Sequence, residues 1–327
     1  MTTDCKPEQL SFQGWGEGSR REVRLDFEGG RLTSDAGVMM LGEVERQRRI
    51  LARFATCFED HRNPLLIEHK VQTLVAQRVL GLAMGYEDLN DHDQLRVDPL
   101  LAAVTGVADP LGSSRSREQD RGKPLAGKST LHRFEWGAVS PVATDRYKRI
   151  GVDAEAVKRF FVEVFLDSIE SPPEQLILDL DATDDPVHGE QEGRFFHGYY
   201  GHYCYLPLYV TCGDFVLWAE LRPSDIDASK GAVEAIAQIV AQIREQWPAV
   251  EIVLRGDSGF ARESLMAWCE TNGVDYVFGL AKNSRLEAEI QIERNRRNGC
   301  AKNRVSPHAC SGTSSTKPGT VGAALAG

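Results

Sequence analysis

Apolar residues recur with helical periodicity in the first half of the chain. Within residues 36–105, apolar side chains return every three or four positions, which places them on one face of a helix. The clearest run is Val71, Leu74, Val75, Val79 and Leu82. We therefore predict helices in this region, then a polar loop over 106–128. A short helix capped by Ser129 or Thr130 and a longer helix over about 153–169 should follow.

Short strand patterns replace the long helical ones from residue 176 onward. The predicted strands are 176–181, 202–212, 215–221, 250–254 and 276–280. The predicted helices are 229–246 and 262–271. Residues 202–212 alternate between apolar and polar positions, which is typical of a strand with one buried face. A hairpin pair followed by alternating strands and helices predicts an α/β fold with a mixed sheet and flanking helices.

The same patterns divide the chain into four segments. Residues 1–35 form an N-terminal extension with a possible hairpin at Gly29-Gly30. Residues 36–170 are mainly helical, and residues 171–290 contain the α/β pattern. Residues 291–327 lose periodicity and end in a low-complexity stretch with little apolar bulk, so we predict disorder there.

Composition excludes several classes of protein. Apolar residues make up 42% of the chain, which is too many for a disordered protein. Apolar runs long enough to span a membrane are not apparent, and the N-terminal residues do not resemble a secretory signal. The seven cysteines are an odd number without a close-spaced pair, which favours reduced thiols and a cytoplasmic location.

Acidic residues are concentrated in the α/β region. The net charge of −10 divides into zero for residues 1–150, −15 for residues 151–281 and +5 for residues 282–327. A solvated acidic surface is the simplest explanation of the middle segment. Carboxylates gathered to bind a divalent cation are the alternative.

Two acidic segments follow predicted strands and favour the metal alternative. The first runs from Asp179 to Asp185, and the second, Arg255–Phe260, contains Asp257. The loops at strand ends of an α/β sheet form its ligand crevice, where one carboxylate from each strand can bind Mg²⁺. Aspartates at strand ends are also ordinary turn and cap residues, so spacing alone leaves both interpretations open.

Two weaker patterns suggest other chemistry. Gly122–Ser129 matches the phosphate-binding pattern G-x-x-x-x-G-K-[ST], but the required apolar strand does not precede it. His197, His202 and Cys204 are close enough in sequence to suggest a zinc site, but a second ligand cluster at a recognised spacing is missing. We consider a nucleotide site and a zinc site the less favoured alternatives.

The combined motifs over about 30–290 resemble bacterial insertion-sequence transposases of the DDE type, most closely the IS-thirteen-eighty group. The motifs that carry this resemblance are Gly30–Gly37, Lys128–Glu135, Leu178–Gly189, Gly198–Leu208, Leu221–Ser224, Arg255–Phe260 and Gly279–Asn283. The resemblance implies an RNase H-like fold that cuts and rejoins DNA ends with Mg²⁺ or Mn²⁺. Asp181 matches the first catalytic and metal-binding acid, with Asp179 as its alternative, and Asp257 matches the second.

The third acid of the family has no matching motif in this chain. Glu287, Glu289 and Glu293 are available, but the likeness fades where they occur. We therefore expect a C-terminally truncated transposase, perhaps altered by a frameshift, with impaired activity.

The resemblance also implies DNA as a partner. We expect the terminal inverted repeats of the element to be bound by a homodimer in the bacterial nucleoid. The predicted DNA-binding residues are Arg46, Arg49, Arg115, Arg117, Arg121, Lys123 and Lys128, with Arg20 and Arg21 as further candidates. A non-catalytic DNA-binding relic and a P-loop nucleotide hydrolase are the alternative functions.

Overall fold

The chain divides into two compact units. A computed structural model describes residues 11–13, 22–24, 33–137, 149–281, 284–288 and 290–291. Contacts group the chain into Met1–Phe160 and Phe161–Gly327. The predicted hairpin at Gly29-Gly30 lies outside the described residues, and so does the predicted disordered tail apart from Gln291. The predicted segment boundaries near 35, 170 and 290 remain predictions.

The first unit is mainly helical, as predicted. Its elements are β1 Ser11–Gln13, β2 Glu22–Arg24, α1 Val38–Arg48, α2 Ile50–Phe54, β3 Phe58–Asp60, α3 Val71–Ala83, α4 His92–Leu95, α5 Pro99–Val104, α6 Lys128–Glu135 and β4 Ile150–Val152. Strands β1 and β2 pair antiparallel, as do β3 and β4. Helix α3 supplies Leu74 and Val75 to a buried cluster that also contains Leu101 and Leu131. No helix in the described ranges is both long and apolar enough to cross a membrane.

The predicted cap of the short helix is wrong. Helix α6 begins at Lys128, so Gly127 rather than Ser129 or Thr130 occupies the cap position. The carboxylate of Asp93 on α4 accepts the backbone N–H of Lys128 at 3.3 Å. A Cβ atom on Gly127 would lie 2.5 Å from the guanidinium of Arg96. Tertiary contacts therefore determine where this helix starts.

One buried histidine makes the stability of the first unit depend on pH. His69 is only 8% exposed, and its Nε2 lies 3.4 Å from Nη2 of Arg115. Burial, and then the charges of Arg115 and Arg62, lower the pKa of His69 from 6.5 to about 4. The folded state therefore favours neutral His69, and the stability from this preference is present above the unfolded pKa of 6.5.

We expect this stability to be lost as the pH falls from 6.5 towards 4, because the unfolded state then binds the proton and the folded state does not. The shift corresponds to a loss on the order of 3 kcal/mol in the free energy of unfolding. Denaturant unfolding between pH 7 and pH 4 measures it. His69→Gln should remove most of the slope, and an equal slope in both proteins would contradict this assignment.

The second unit contains a five-stranded mixed sheet. Helix α7 Ala154–Ser168 begins in the first unit and continues into the second. The remaining elements are β5 Gln175–Asp181, β6 Asp185–Pro186, β7 Phe195–His197, β8 His202–Tyr205, β9 Leu208–Cys212, β10 Phe215–Glu220, α8 Ala232–Gln246, β11 Glu251–Gly256, α9 Glu263–Asn272 and β12 Asp275–Phe278. The main sheet has the order β10-β9-β5-β11-β12.

This topology confirms the predicted fold class. Strands β5, β11 and β12 are parallel, and β9 runs antiparallel to both β5 and β10. Counted along the chain, the five strands therefore have the order 3-2-1-4-5 with the second strand reversed, as an RNase H-like fold requires. The buried cluster joins this sheet to α7, α8 and α9. Leu176, Leu178 and Leu180 enter the cluster from β5, which leaves Asp179 and Asp181 on the opposite face.

The predicted single strand over 202–212 is wrong. The structure divides it into β8 and β9, which belong to different sheets. The break lies at Leu206-Pro207, where proline has no backbone N–H to donate to a ladder. Strand β8 instead pairs with β6 and β7 in a small three-stranded sheet. Alternation of apolar residues continues across the break, which is why the sequence suggested one strand.

Candidate active site

Two aspartates stand at the ends of neighbouring parallel strands. Asp181 is the last residue of β5, and Asp257 directly follows the last residue of β11. Leu180 pairs with Gly256 in the register of these strands, so the two aspartates occupy the next position on each strand. Adjacent strands are separated by roughly 4.8 Å. The predicted juxtaposition of these two acids at one edge of the sheet therefore agrees with the strand register.

Each carboxylate is held by its own loop. The Thr183 hydroxyl donates to Oδ2 of Asp181 at 2.6 Å, and the backbone N–H of Gly259 donates to Oδ1 of Asp257 at 2.8 Å. The loop after β11 is also tightly packed. A Cβ on Gly259 would lie 2.9 Å from Oδ1 of Asp257, and a Cβ on Gly279 would lie 3.2 Å from the nitrogen of Ser258. Glycines therefore allow this loop to fold closely around the Asp257 carboxylate.

Asp179, the alternative first acid, has a different environment. It pairs with Arg255 across the register of β5 and β11, and the guanidinium contacts both carboxylate oxygens. The distance between Nη2 of Arg255 and Oδ2 of Asp179 is 2.7 Å. This bidentate pair raises the pKa of Arg255 above its usual value. Asp179 is therefore charge-compensated and less available to a cation than Asp181.

A further acid–histidine pair lies beside these carboxylates. The Nε2–H of His202 on β8 donates to Oδ2 of Asp184 at 2.7 Å. The hydroxyl of Tyr200 donates to the backbone oxygen of Ala182 at 3.4 Å. Strand β6 and the preceding loop, which carry Asp184, are also joined to β8 by backbone pairing. The small sheet therefore contacts the loop that follows Asp181 directly.

The pKa of the Tyr200 hydroxyl is affected by the charges of Asp181, Asp184 and Asp257. Burial is the largest cause that raises the pKa of its hydroxyl above the usual value. The negative charges of Asp184, Asp181 and Asp257 raise it further. This shared influence indicates that the three acids create one region of negative potential around the tyrosine ring.

The carboxylates of Asp181 and Asp257 are suitable ligands for a divalent cation, but a third protein ligand is not described beside them. In the part of the chain that the structure describes, neither Asp181 nor Asp257 forms an ion pair, so both offer uncompensated carboxylate oxygens. Mg²⁺ commonly binds one or two protein carboxylates and keeps water or phosphate oxygens at its other positions. Over the same described residues, however, no group of three His, Cys, Asp or Glu side chains has the arrangement of a metal site.

The structure does not support the zinc or nucleotide alternatives. His202 is bonded to Asp184, and Cys204 is fully buried. The phosphate-loop pattern follows turns and a short 3-10 helix rather than a strand. Its backbone amides also have protein partners, since the N–H of Ala126 donates to Gln77 at 3.0 Å. The amino group of Lys128 donates to Asn90 at 3.0 Å.

Among the predicted DNA-binding residues, Arg20 and Arg21 lie outside the described residues, and the other seven lie in the first unit, where several have partners. The surface pairs are Arg46 with Glu43 at 2.5 Å, Arg115 with Glu68 at 3.0 Å and Lys128 with Asp93 at 3.4 Å. Lys123 donates to the backbone oxygen of Gln119. Arg117 and Arg121 flank the 3-10 helix Glu118–Asp120, and Arg49 joins α1 to α2 with a left-handed backbone. The exposed pairs of Arg46 and Lys128 stabilise little, whereas the Arg115 side chain is largely buried.

Sequence reasoning missed Asp184, Tyr200 and Arg222. Asp184 and Tyr200 belong to motifs that carried the resemblance, but their roles depend on the pairing of the small sheet. Arg222 is 6% exposed and donates to the backbone oxygens of Leu206 and Ala228 at 2.9 and 3.1 Å, and also to that of Lys230. A buried arginine whose side chain donates to backbone oxygens has no periodic signature in the sequence.

Comparison with known proteins points to one family. The family model described as transposase DDE domain, group 1, matches residues 16–315, so the matched range extends beyond the predicted 30–290 at both ends. No curated protein gives a significant match to this chain.

Three solved transposase structures are similar at low identity. The catalytic domain of Mos1 mariner transposase is 11% identical, and the alignment covers 47% of this chain and 73% of that one, with a TM-score of 0.26. The piggyBac transposase synaptic complex with hairpin DNA is 12% identical over 76% of this chain and 52% of that one, with a TM-score of 0.35. The Mos1 paired-end complex with the left transposon end is 10% identical over 67% and 60%, with a TM-score of 0.23.

Proposed function

This chain belongs to the transposase family with a group 1 DDE domain, and we propose that it binds DNA ends and cleaves and joins their strands through Asp181 and Asp257. One observation carries the choice of these residues. They occupy equivalent positions at the ends of adjacent parallel strands, directly after the paired residues Leu180 and Gly256. Each carboxylate also accepts a hydrogen bond from its own loop. Asp179, on the same strand face, is instead neutralised by Arg255.

A divalent cation belongs to this proposal. Asp181 and Asp257 would hold Mg²⁺ or Mn²⁺, which stabilises the charge that develops when a phosphodiester is displaced. Hydrogen bonds from Thr183 and Gly259 would restrict the movement of the two carboxylates that hold the cation. Asp184 adds negative charge beside them while its bond to His202 fixes its own direction.

DNA is the proposed partner, and the first unit is the proposed source of affinity. The α/β unit is too acidic to attract phosphates by itself, since residues 151–281 carry a net charge of −15. The cations of the first unit that we propose for this role are Arg46, Arg49, Arg115, Arg117, Arg121, Lys123 and Lys128. The finer proposal is a bacterial insertion-sequence transposase of the IS-thirteen-eighty group, bound as a homodimer to terminal inverted repeats in the nucleoid.

A non-catalytic DNA-binding protein is the second candidate. It is favoured by one observation, which is that the described residues do not bring three metal-binding side chains together. Glu287 lies in the described residues and does not join a group of three metal-binding side chains there, whereas Glu289 and Glu293 lie outside them. We therefore propose that catalysis is impaired relative to a transposase with three acids.

A strand-cleavage assay tests the proposed function. Its substrate is a duplex that carries the element's own ends, and cleavage is measured first in Mg²⁺ and then in Mn²⁺. We expect the chain to bind these ends but to cleave them at least about a hundredfold more slowly than a three-acid relative, because misplaced metals slow phosphoryl displacement strongly. Asp257→Asn should abolish the residual cleavage.

The matched variant separates the possible outcomes. Failure to bind the ends contradicts the proposed function. Equal cleavage by the chain and by Asp257→Asn contradicts the assigned site. Rapid cleavage that Asp257→Asn abolishes contradicts impaired catalysis and requires a third acid from outside the described residues.

A further inference from the structure

Exposed aromatic side chains are concentrated on the β7–β8 hairpin. They are Phe195, Phe196, Tyr199 and Tyr203, all within nine residues of sequence. Tyr199 is 87% exposed, Phe196 57% and Tyr203 48%. Single exposed aromatic residues are ordinary, but a cluster of them marks an interaction surface. We call these four residues the aromatic hairpin.

The aromatic hairpin adjoins the loop that follows Asp181. Its turn carries Tyr199 next to Tyr200, and the centroids of these two rings are 5.1 Å apart. Tyr200 in turn donates to Ala182, the residue that follows Asp181. The exposed ring of Tyr199 is therefore two side-chain contacts away from the loop of the first catalytic acid.

The turn that presents Tyr199 is internally fixed. The N–H of Gly201 donates to the backbone oxygen of His197 at 2.8 Å, and Gly201 has the left-handed φ of +77° that favours glycine. The rings of His197 and Tyr200, at either end of the turn, pack against each other with their centroids 4.8 Å apart. A rigid aromatic side chain presented in this way loses little conformational entropy when a planar ligand binds.

Charge identifies the kind of ligand. Without a bound cation, the neighbouring carboxylates of Asp181, Asp184 and Asp257 repel phosphates, so an uncharged group is the better ligand for the exposed ring of Tyr199. Nucleobases are uncharged and stack on aromatic rings independently of phosphate contacts. The guanidinium of Arg194 already lies 4.4 Å from the centroid of Tyr203, so one ring of the hairpin packs against a planar group within the chain itself.

We propose that the aromatic hairpin, and Tyr199 in particular, stacks an unpaired base of the DNA strand whose phosphate lies at Asp181 and Asp257. This inference rests on the proposed function, because it takes DNA as the partner. Its specific content is that the second unit recognises single-stranded nucleotides beside the cleavage point by stacking rather than by charge.

The test measures DNA binding by the full chain in EDTA, so that it does not depend on metal or catalysis. The probes are a blunt duplex and the same duplex with a single-stranded 3′ overhang that contains 2-aminopurine. We expect the chain to bind the overhang duplex more tightly and to quench its fluorescence. Tyr199→Ala should weaken overhang binding about tenfold with an unchanged salt dependence, because the lost contact carries no charge.

Two further variants serve as controls. Tyr199→Phe keeps the ring and should retain the affinity, whereas Val216→Ala removes exposed apolar surface elsewhere in the unit and should have no effect. If the chain binds the blunt duplex and Tyr199→Ala leaves binding of the overhang duplex unchanged, the stacking proposal alone is overturned. If the chain binds neither probe, the proposed function fails with it. Loss of self-association in Tyr199→Ala without loss of overhang affinity shows instead that the hairpin is an interface between copies, which also overturns stacking.

Discussion

Replacing Asp181 or Asp257 with asparagine is expected to weaken Mn²⁺ binding at least tenfold. Asparagine preserves the volume and one acceptor oxygen of aspartate, so Thr183 and Gly259 keep an acceptor for their hydrogen bonds. The negative charge and one acceptor oxygen are lost, and charge at this short range dominates the affinity of a carboxylate site for a divalent cation. Titration followed by the electron paramagnetic resonance of free Mn²⁺ measures the change directly.

Asp179→Asn is the matched control for this experiment. It removes the same charge from the same strand face, but from a carboxylate that Arg255 already neutralises. We expect Mn²⁺ affinity to remain within about twofold, because the cation does not depend on that carboxylate. Loss of affinity in Asp179→Asn with none in Asp181→Asn would make Asp179 the first acid and contradict our assignment.

Thermal unfolding distinguishes loss of a ligand from loss of structure in these variants. Asp181 and Asp257 form no ion pair within the described residues, so removing one charge should relieve repulsion and leave the melting temperature unchanged or higher. Asp179→Asn breaks an exposed pair and should change stability little. A large destabilisation in Asp257→Asn would instead identify a structural carboxylate.

The positions of Asp181 and Asp257, the two proposed catalytic acids, could be predicted because they depend on strand periodicity and strand ends. Leu176, Leu178 and Leu180 alternate with polar residues, and this pattern determines both the buried face of β5 and the face of Asp181. Strand β11 ends in a short polar loop, so Asp257 was also identifiable. The family match over residues 16–315 agrees with this fold.

The small sheet could not be predicted in the same way. Its strands are two to four residues long, and Leu206-Pro207 separates β8 from β9 without interrupting the apolar alternation. Pairing between β6 and β8 depends on contacts across about twenty residues of sequence. For this reason His202 suggested a zinc ligand, whereas the structure pairs it with Asp184.

The basic residues of the first unit are a poorer guide to function than the strand pattern is. The basic residues of the first unit predict a DNA surface by composition, but Arg115 also lies against buried His69 and pairs with Glu68. A residue of this kind contributes to folding as well as to any phosphate contact. Only a structure separates such roles, because side-chain pairing between distant segments leaves no periodic pattern.

The anchor of the small sheet is the buried guanidinium of Arg222. It donates to the backbone oxygens of Leu206, Ala228 and Lys230. Its own backbone oxygen accepts the N–H of Leu206 at 2.9 Å. Burial lowers the pKa of Arg222 below its usual value, which shows that the charge is held at an energetic cost and is compensated by these carbonyl groups. The Ser224 hydroxyl, two residues later, donates to the backbone oxygen of Phe195 at 3.0 Å.

We therefore expect Arg222→Ala to destabilise the second unit by about 3 kcal/mol, since it leaves buried carbonyl groups without donors and removes the packed side-chain stem. Arg222→Lys should recover little of this loss, because one ammonium group does not reproduce the planar fork that reaches three carbonyls. Denaturant unfolding followed by tryptophan fluorescence measures the change. Hydrogen exchange should also increase in β7 and β8, because Arg222 and Ser224 fix both strands of the hairpin.

Arg244→Ala provides the comparison that makes the Arg222 result interpretable. Arg244 also donates to backbone oxygens, those of Asn272 and Gly273 at 2.7 and 2.8 Å, but in solvent-exposed surroundings. Water can replace these bonds, so we expect a loss below about 1 kcal/mol. Equal effects of the two variants would show that burial of the Arg222 guanidinium does not anchor the sheet. A large effect confined to Arg222→Ala, with faster exchange in the hairpin, would show that Leu221–Ser224 fixes the strands that carry the aromatic rings and His202.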